Sequence, residues 1–231
     1  MRQLPLSVRL SDRASFESFL PGPNEVILRQ LTALAEQPRP GLVWLFGPEG
    51  SGKTHLLQAL CVRAGAAAAY VPLPQLESYG PAAISDWQGA RWLCLDEVSW
   101  AVGKPEWERA LFAVYRDCEE RGASLLMAAR EPPTQLPFVL QDLASRCAAG
   151  HRLALQTLDE EQQRAALRLR AHLRGFELPE ETAHYLLRRL PRDMTSLFAL
   201  LDELDAAALA AQRRLTVPFI RDVLAQRAGR R

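Results

Sequence analysis

The stretch Gly47-Pro48-Glu49-Gly50-Ser51-Gly52-Lys53-Thr54 decides the reading of the whole chain. It fits the spacing GxxxxGK[ST], and its flanks give that spacing meaning. Before it runs Gly41-Leu42-Val43-Trp44-Leu45-Phe46, an apolar run of strand length. After it, His55 leads into Leu56-Leu57-Gln58-Ala59-Leu60, where Leu56 and Leu60 share one helical face. A strand that feeds a glycine-rich turn and opens a helix makes a phosphate cradle. The glycines let backbone N–H groups curl inward, and the helix start adds the positive end of its dipole. Lys53 is expected at the β- and γ-phosphates of a nucleotide, and the Thr54 hydroxyl at Mg²⁺.

Working outward, the second chemical feature is Arg91-Trp92-Leu93-Cys94-Leu95-Asp96-Glu97, an apolar run that ends in two acids. That form is a buried parallel strand with carboxylates at its carboxyl end. Asp96 is expected to hold the metal, directly or through water, and Glu97 to orient an attacking water. Further strands are expected at 68–71, 124–129 and 152–155, and helices at 24–36, from Pro105 through Cys118, and at 136–144. Alternating strands and helices predict an α/β fold with a five-stranded parallel sheet flanked by helices. From Asp159 onward the pattern is helical only, at 180–190, 194–213 and 216–226 among others, which predicts a small all-α lid. The expected organisation is an arm over 1–24, a nucleotide-binding domain over 25–157 and the lid over 158–231. Asn24 is read as the cap of the first helix.

Composition narrows the class. The chain has 231 residues, 24% charged and 48% hydrophobic, with net charge +1. Such a balance supplies no broad field for nucleic acid or an anionic membrane. The cysteines (Cys61, Cys94, Cys118 and Cys147) match no metal-ligand spacing and read as buried side chains. Neither a signal-peptide pattern nor a membrane-length apolar run occurs, so a cytoplasmic setting is expected.

Four further stretches carry a resemblance. They are Pro132-Pro133-Thr134-Gln135-Leu136, Asp142-Leu143-Ala144-Ser145-Arg146, Leu173-Arg174-Gly175-Phe176-Glu177-Leu178-Pro179-Glu180 and Arg213-Arg214-Leu215-Thr216-Val217-Pro218-Phe219. With the phosphate loop and Asp96-Glu97, they resemble the AAA+ modules of the DnaA/Hda clade over nearly the whole chain. The resemblance implies a regulator of replication initiation that holds ADP or ATP with Mg²⁺. Arg146 is then an arginine finger acting in trans, and Arg192 a sensor arginine directed at the bound phosphates. Phe19, Leu20 and Asn24 are assigned to the nucleotide by their place ahead of the first helix. Gln3-Leu4-Pro5-Leu6 resembles the motif that docks such proteins on the DNA polymerase III sliding clamp, with Leu4 and Leu6 in a pocket and Gln3 hydrogen-bonded.

The implied partners are DnaA and the clamp, with a homo-oligomer as the other way to complete a shared site. The fourth strand departs from the clade's pattern: Ala128-Ala129-Arg130-Glu131 places Arg130 where an Asp is expected. That substitution predicts weak or absent hydrolysis by the chain itself. A DnaA initiator continues into a helix-turn-helix domain, whereas this sequence stops at Arg231, so direct sequence-specific DNA reading is not expected. The rival reading is a self-sufficient AAA+ ATPase such as a helicase loader.

Overall fold

A computed structural model describes residues 14–87, 89–189, 194–211 and 216–228. Two compact units divide between Thr157 and Leu158.

The first unit is an α/β sandwich. Helix α1 (Glu25–Glu36) precedes β1 (Gly41–Phe46) and α2 (Lys53–Ala64), followed by β2 (Ala68–Pro72), β3 (Trp92–Asp96), α3 (Pro105–Arg121), β4 (Ser124–Ala129), α4 (Gln141–Ala149) and β5 (His151–Ala154). All pairings are parallel, in the order β2-β3-β4-β1-β5. The expected five-stranded sheet is therefore observed. The central strands β3 and β4 are buried along their whole length because both faces are covered, whereas the edge strand β5 buries only Leu153. Leu42, Trp44, Leu93, Leu95, Leu125 and Met127 join Leu111 and Leu143 from α3 and α4 on one face. Leu45, Cys94, Leu126 and Ala128 join Leu31, Leu56 and Leu60 from α1 and α2 on the other. The buried cysteines include Cys118 and Cys147, whose thiols burial raises to about 11 and about 12, so they stay protonated and apolar at neutral pH.

Local signals place the ends of α3. Pro105 occupies its first turn, with Glu106 and Glu108 beside it, and Gly122 closes it in the left-handed conformation at φ 66°.

Three expectations change. Residues 14–24 are not a free arm: Ala14 and Phe16 are buried, and Phe16 joins the core beside α2. Asn24 makes no cap hydrogen bond; its amide instead donates to the Gln156 carbonyl (2.9 Å) and accepts from the Gln156 N–H (2.8 Å). The helix expected at 136–144 starts later, at Gln141, because the backbone N–H groups of Val139 and Leu140 are held by the Glu108 carboxylate (3.0 and 2.6 Å). Between the 3₁₀ turn at Pro133–Gln135 and the helix, the Phe138 N–H donates to the Leu136 carbonyl (2.9 Å).

The second unit contains α5 (Glu160–Leu173), α6 (Glu180–Arg189), α7 (Met194–Ala211) and α8 (Val217–Ala228). A capping box starts α5: Gln162 N–H donates to Asp159 (2.8 Å), and Asp159 N–H donates to the Gln162 side chain (3.1 Å). Leu167, Ala183, Leu201 and Ile220 are wholly buried in it. Arg174 pairs with Asp202 (2.5 Å) and Asp205 (3.6 Å) between α5 and α7. Among the described residues, no helix is long and apolar enough to cross a membrane.

Candidate nucleotide site

The carboxyl ends of β1, β3 and β4 lie side by side, since Phe46 faces Ala129 and Leu95 faces Met127 in the ladders. Residues just past these ends are therefore brought together: Gly47–Thr54, Asp96-Glu97 and Arg130. This is where parallel sheets place their ligands.

The loop itself depends on its glycines. A Cβ at Gly47 would stand 2.4 Å from the Leu155 carbonyl oxygen. Gly52 adopts φ +94°, and a Cβ there would stand 2.5 Å from the Phe19 ring. Helix α2 then opens at Lys53 with no side-chain cap on its first N–H groups, so they remain directed at the loop. The Lys53 ammonium donates to the Gly47 (2.7 Å) and Pro48 (2.8 Å) carbonyls, which ties it across the cradle. Burial holds Lys53 below the ordinary lysine pKa; Arg130 adds to this, against the opposing pull of Asp96.

Thr54 and Asp96 are joined. The Thr54 hydroxyl donates to the Asp96 carboxylate (2.7 Å), which also accepts from the Tyr70 hydroxyl (2.8 Å) and the Glu97 N–H (2.8 Å). Asp96 is 2% exposed, whereas Thr54 is exposed. The donor set fits Mg²⁺. Asp96 accepts from three donors and keeps acceptor capacity, so it orients the Thr54 hydroxyl, and the lone pair of that hydroxyl with Asp96, directly or through water, would hold the ion. Thr54 would hold Mg²⁺ brought in with a nucleotide, and the ion would supply neutralisation of phosphate charge there.

Glu97 is exposed beside this pair, in a left-handed backbone turn at φ 57°. Burial, and then the Asp96 charge, hold its carboxyl above the ordinary value. Arg130 reaches Glu49 of the loop at 2.7 Å.

Phe19 lies against the loop: its ring covers Gly52 and tilts over His55 at 5.6 Å. His55 Nε2 is within hydrogen-bond reach of the Ser15 carbonyl (2.9 Å) and the Ser18 hydroxyl (3.3 Å). Leu20 is partly buried in the same segment, while Asn24, 1% exposed, has its amide engaged by Gln156. Arg146 lies on the exposed side of α4, 5.7 Å over the Tyr115 ring and 4.0 Å from Glu119. Arg192, Gln3, Leu4 and Leu6 lie outside the described residues. The sequence reading missed Tyr70, which looks like any strand aromatic until β2 is paired beside β3.

The fold is that of DnaA-like AAA+ modules. The first unit and its helical partner match domain III of the DnaA replication initiation protein from Thermotoga maritima at TM-score 0.79, with 20% identity, covering 94% of this chain and 97% of that one. AMPPCP-bound DnaA from Aquifex aeolicus matches at TM-score 0.67 and 20% identity, covering 84% of this chain and 66% of that longer one. The RuvB Holliday junction branch migration motor of Thermotoga maritima matches at TM-score 0.63 and 17% identity, covering 91% and 73%. A family model described as the Hda lid domain matches residues 159–224. The chain thus has a DnaA-like fold, and its residues 159–224 are similar to the Hda lid domain.

Proposed function

We propose that this chain is a nucleotide-bound regulator of bacterial replication initiation, holding ADP at rest. It docks on the sliding clamp through Gln3, Leu4 and Leu6 and stimulates ATP hydrolysis by DnaA, which limits re-initiation. The observation that carries this reading is the match of residues 159–224 to the Hda lid domain. Lys53 and the N–H groups at the start of α2 would hold the phosphates of its own nucleotide, with Thr54 at Mg²⁺ and Arg192 as a sensor arginine. Arg146 would enter the site of DnaA, where a planar guanidinium stabilises the charge that develops on a transferring phosphoryl group. Its exposure on α4 supports that role.

The deciding experiment adds this protein and DNA-loaded clamp to ATP-bound DnaA. Hydrolysis is expected to accelerate, and Arg146→Ala to abolish the effect while clamp capture persists. Gln3→Ala with Leu4→Ala is expected to lose clamp capture. A wild-type protein that leaves DnaA turnover unchanged rejects the reading.

The rival is a self-sufficient ATPase such as a helicase loader. One observation favours it: Lys53, Thr54, Asp96 and Glu97 all stand at the same end of the sheet. Rapid turnover by the purified chain alone, lost in Glu97→Gln, selects it.

A further inference from the structure

Glu108 is the most deeply buried acid of the α/β unit, at 0% exposure, yet it faces no cation in a salt bridge among the described residues. It accepts from backbone N–H groups instead: Gly103 (2.7 Å), Val139 (3.0 and 3.1 Å) and Leu140 (2.6 Å). Those donors come from two separate segments. Gly103 closes the loop that follows Asp96-Glu97, and Val139-Leu140 leads into α4, where Leu140 holds the cap position with no side-chain cap. A carboxylate offers only acceptors, so this set of donors satisfies it and nothing smaller or neutral would.

Helix α3 in fact brackets α4 at both ends. Glu108, Tyr115 and Glu119 are spaced seven and four along α3, on one face. Glu108 grips the start of α4, while Tyr115 and Glu119 lie beneath Arg146 near its end. Between them, Leu143 and Cys147 seat α4 in the core. Those apolar contacts orient the helix but, being non-directional, resist sliding weakly. The hydrogen bonds to Glu108 supply the missing restraint.

We propose that Glu108 is a positioning residue for Arg146: it locks the start of α4 to the loop after Asp96-Glu97, so that the guanidinium is offered from a fixed helix. This rests on the finger role of Arg146 proposed above. Arg146 lies six residues past Leu140, about 9 Å along the helix. A tilt of about 10° at the start would move it by roughly 1.5 Å, and misplacement of about 1 Å can cost on the order of a hundredfold in rate.

The test uses the full chain with DNA-loaded clamp and ATP-bound DnaA. Maximal stimulated rate and half-saturating concentration are measured separately, with ADP affinity and melting temperature alongside. Glu108→Gln puts an amide donor against backbone donors. It is expected to lower the maximal rate by at least about tenfold, while half-saturation and ADP affinity stay within about twofold. Glu108→Asp, which keeps the carboxylate one methylene short, is expected to recover part of the rate. A Glu108→Gln protein with full maximal rate overturns the proposal, as does a loss matched by equal loss of ADP binding. Should Glu108→Gln fail to fold, full rate in folded Glu108→Asp overturns it equally. If Arg146→Ala is inactive and the Glu108 variants are not impaired, the positioning claim alone fails. If Arg146→Ala stimulates like wild type, the finger reading fails and takes this one with it.

Discussion

Thr54, on the first turn of α2, donates its hydroxyl proton to Asp96 at the end of β3, across 2.7 Å. The bond leaves the hydroxyl lone pair for a cation and fixes the direction in which it points. Thr54→Ala removes both the ligand and the donor to a buried carboxylate. An interaction of this charged kind contributes about 1.5–3 kcal/mol, so Mg²⁺-nucleotide affinity should fall about ten- to hundredfold. Affinity measured with excess chelator should fall far less. Equal losses with and without metal would contradict this assignment.

Glu97 gives a pH signature. Its folded-state pKa is raised, by burial first and by Asp96 second. An acid raised in the folded state favours folding below its ordinary pKa, and that contribution is lost as pH rises through the raised value. That contribution is therefore smaller at pH 7 than at acid pH. Glu97→Gln should therefore raise the melting temperature at pH 7, with the gain shrinking as pH falls toward 4.5, the ordinary value. A gain that grows toward acid pH would show that the carboxyl is not raised.

Asn24 and Gln156 exchange two hydrogen bonds at a position 1% exposed. Asn24→Ala leaves a part-buried N–H and C=O on Gln156 without those partners. The expected cost is about 2–4 kcal/mol, or roughly 5–10 °C in melting temperature. An ordinary helix cap would cost nearer 1 kcal/mol, so calorimetry separates the two roles.

Much of this fold is legible because its central strands are buried on both faces and read as largely apolar runs. Trp92–Asp96 and Ser124–Ala129 are such runs. The phosphate loop is legible because its glycine and lysine spacing follows from the shape of a phosphate group. What the sequence hides is tertiary. Phe16 and Phe19 sit among polar residues ahead of a Pro-Gly-Pro turn, so nothing local announces that one enters the core and the other covers Gly52. The start of α4 is displaced by Glu108, an acid on a different helix, which no window of neighbouring residues contains.

The ion pair of Arg130 with Glu49 tests the altered end of β4. Its side chains are 62% and 69% exposed, so water screens the attraction and the pair contributes at most about 1 kcal/mol. Arg130→Ala should leave the melting temperature within about 2–4 °C of wild type. It should also raise the pKa of Lys53, since Arg130 is one of the charges that depress it. Nucleotide affinity followed from pH 8 upward would then decline at higher pH in the variant than in wild type. Coincident profiles would place Arg130 outside the electrostatic reach of Lys53.

The packing of Phe19 over Gly52 has a practical consequence for dissecting the molecule. A deletion meant to remove only the Gln3–Leu6 stretch has a natural limit before Ala14. A cut at residue 24 would also strip Phe16 from the core, Phe19 from the phosphate loop and the Ser15 carbonyl from His55. Loss of partner docking in such a truncation would be confounded with loss of nucleotide, and the two functions would look inseparable when they are merely adjacent.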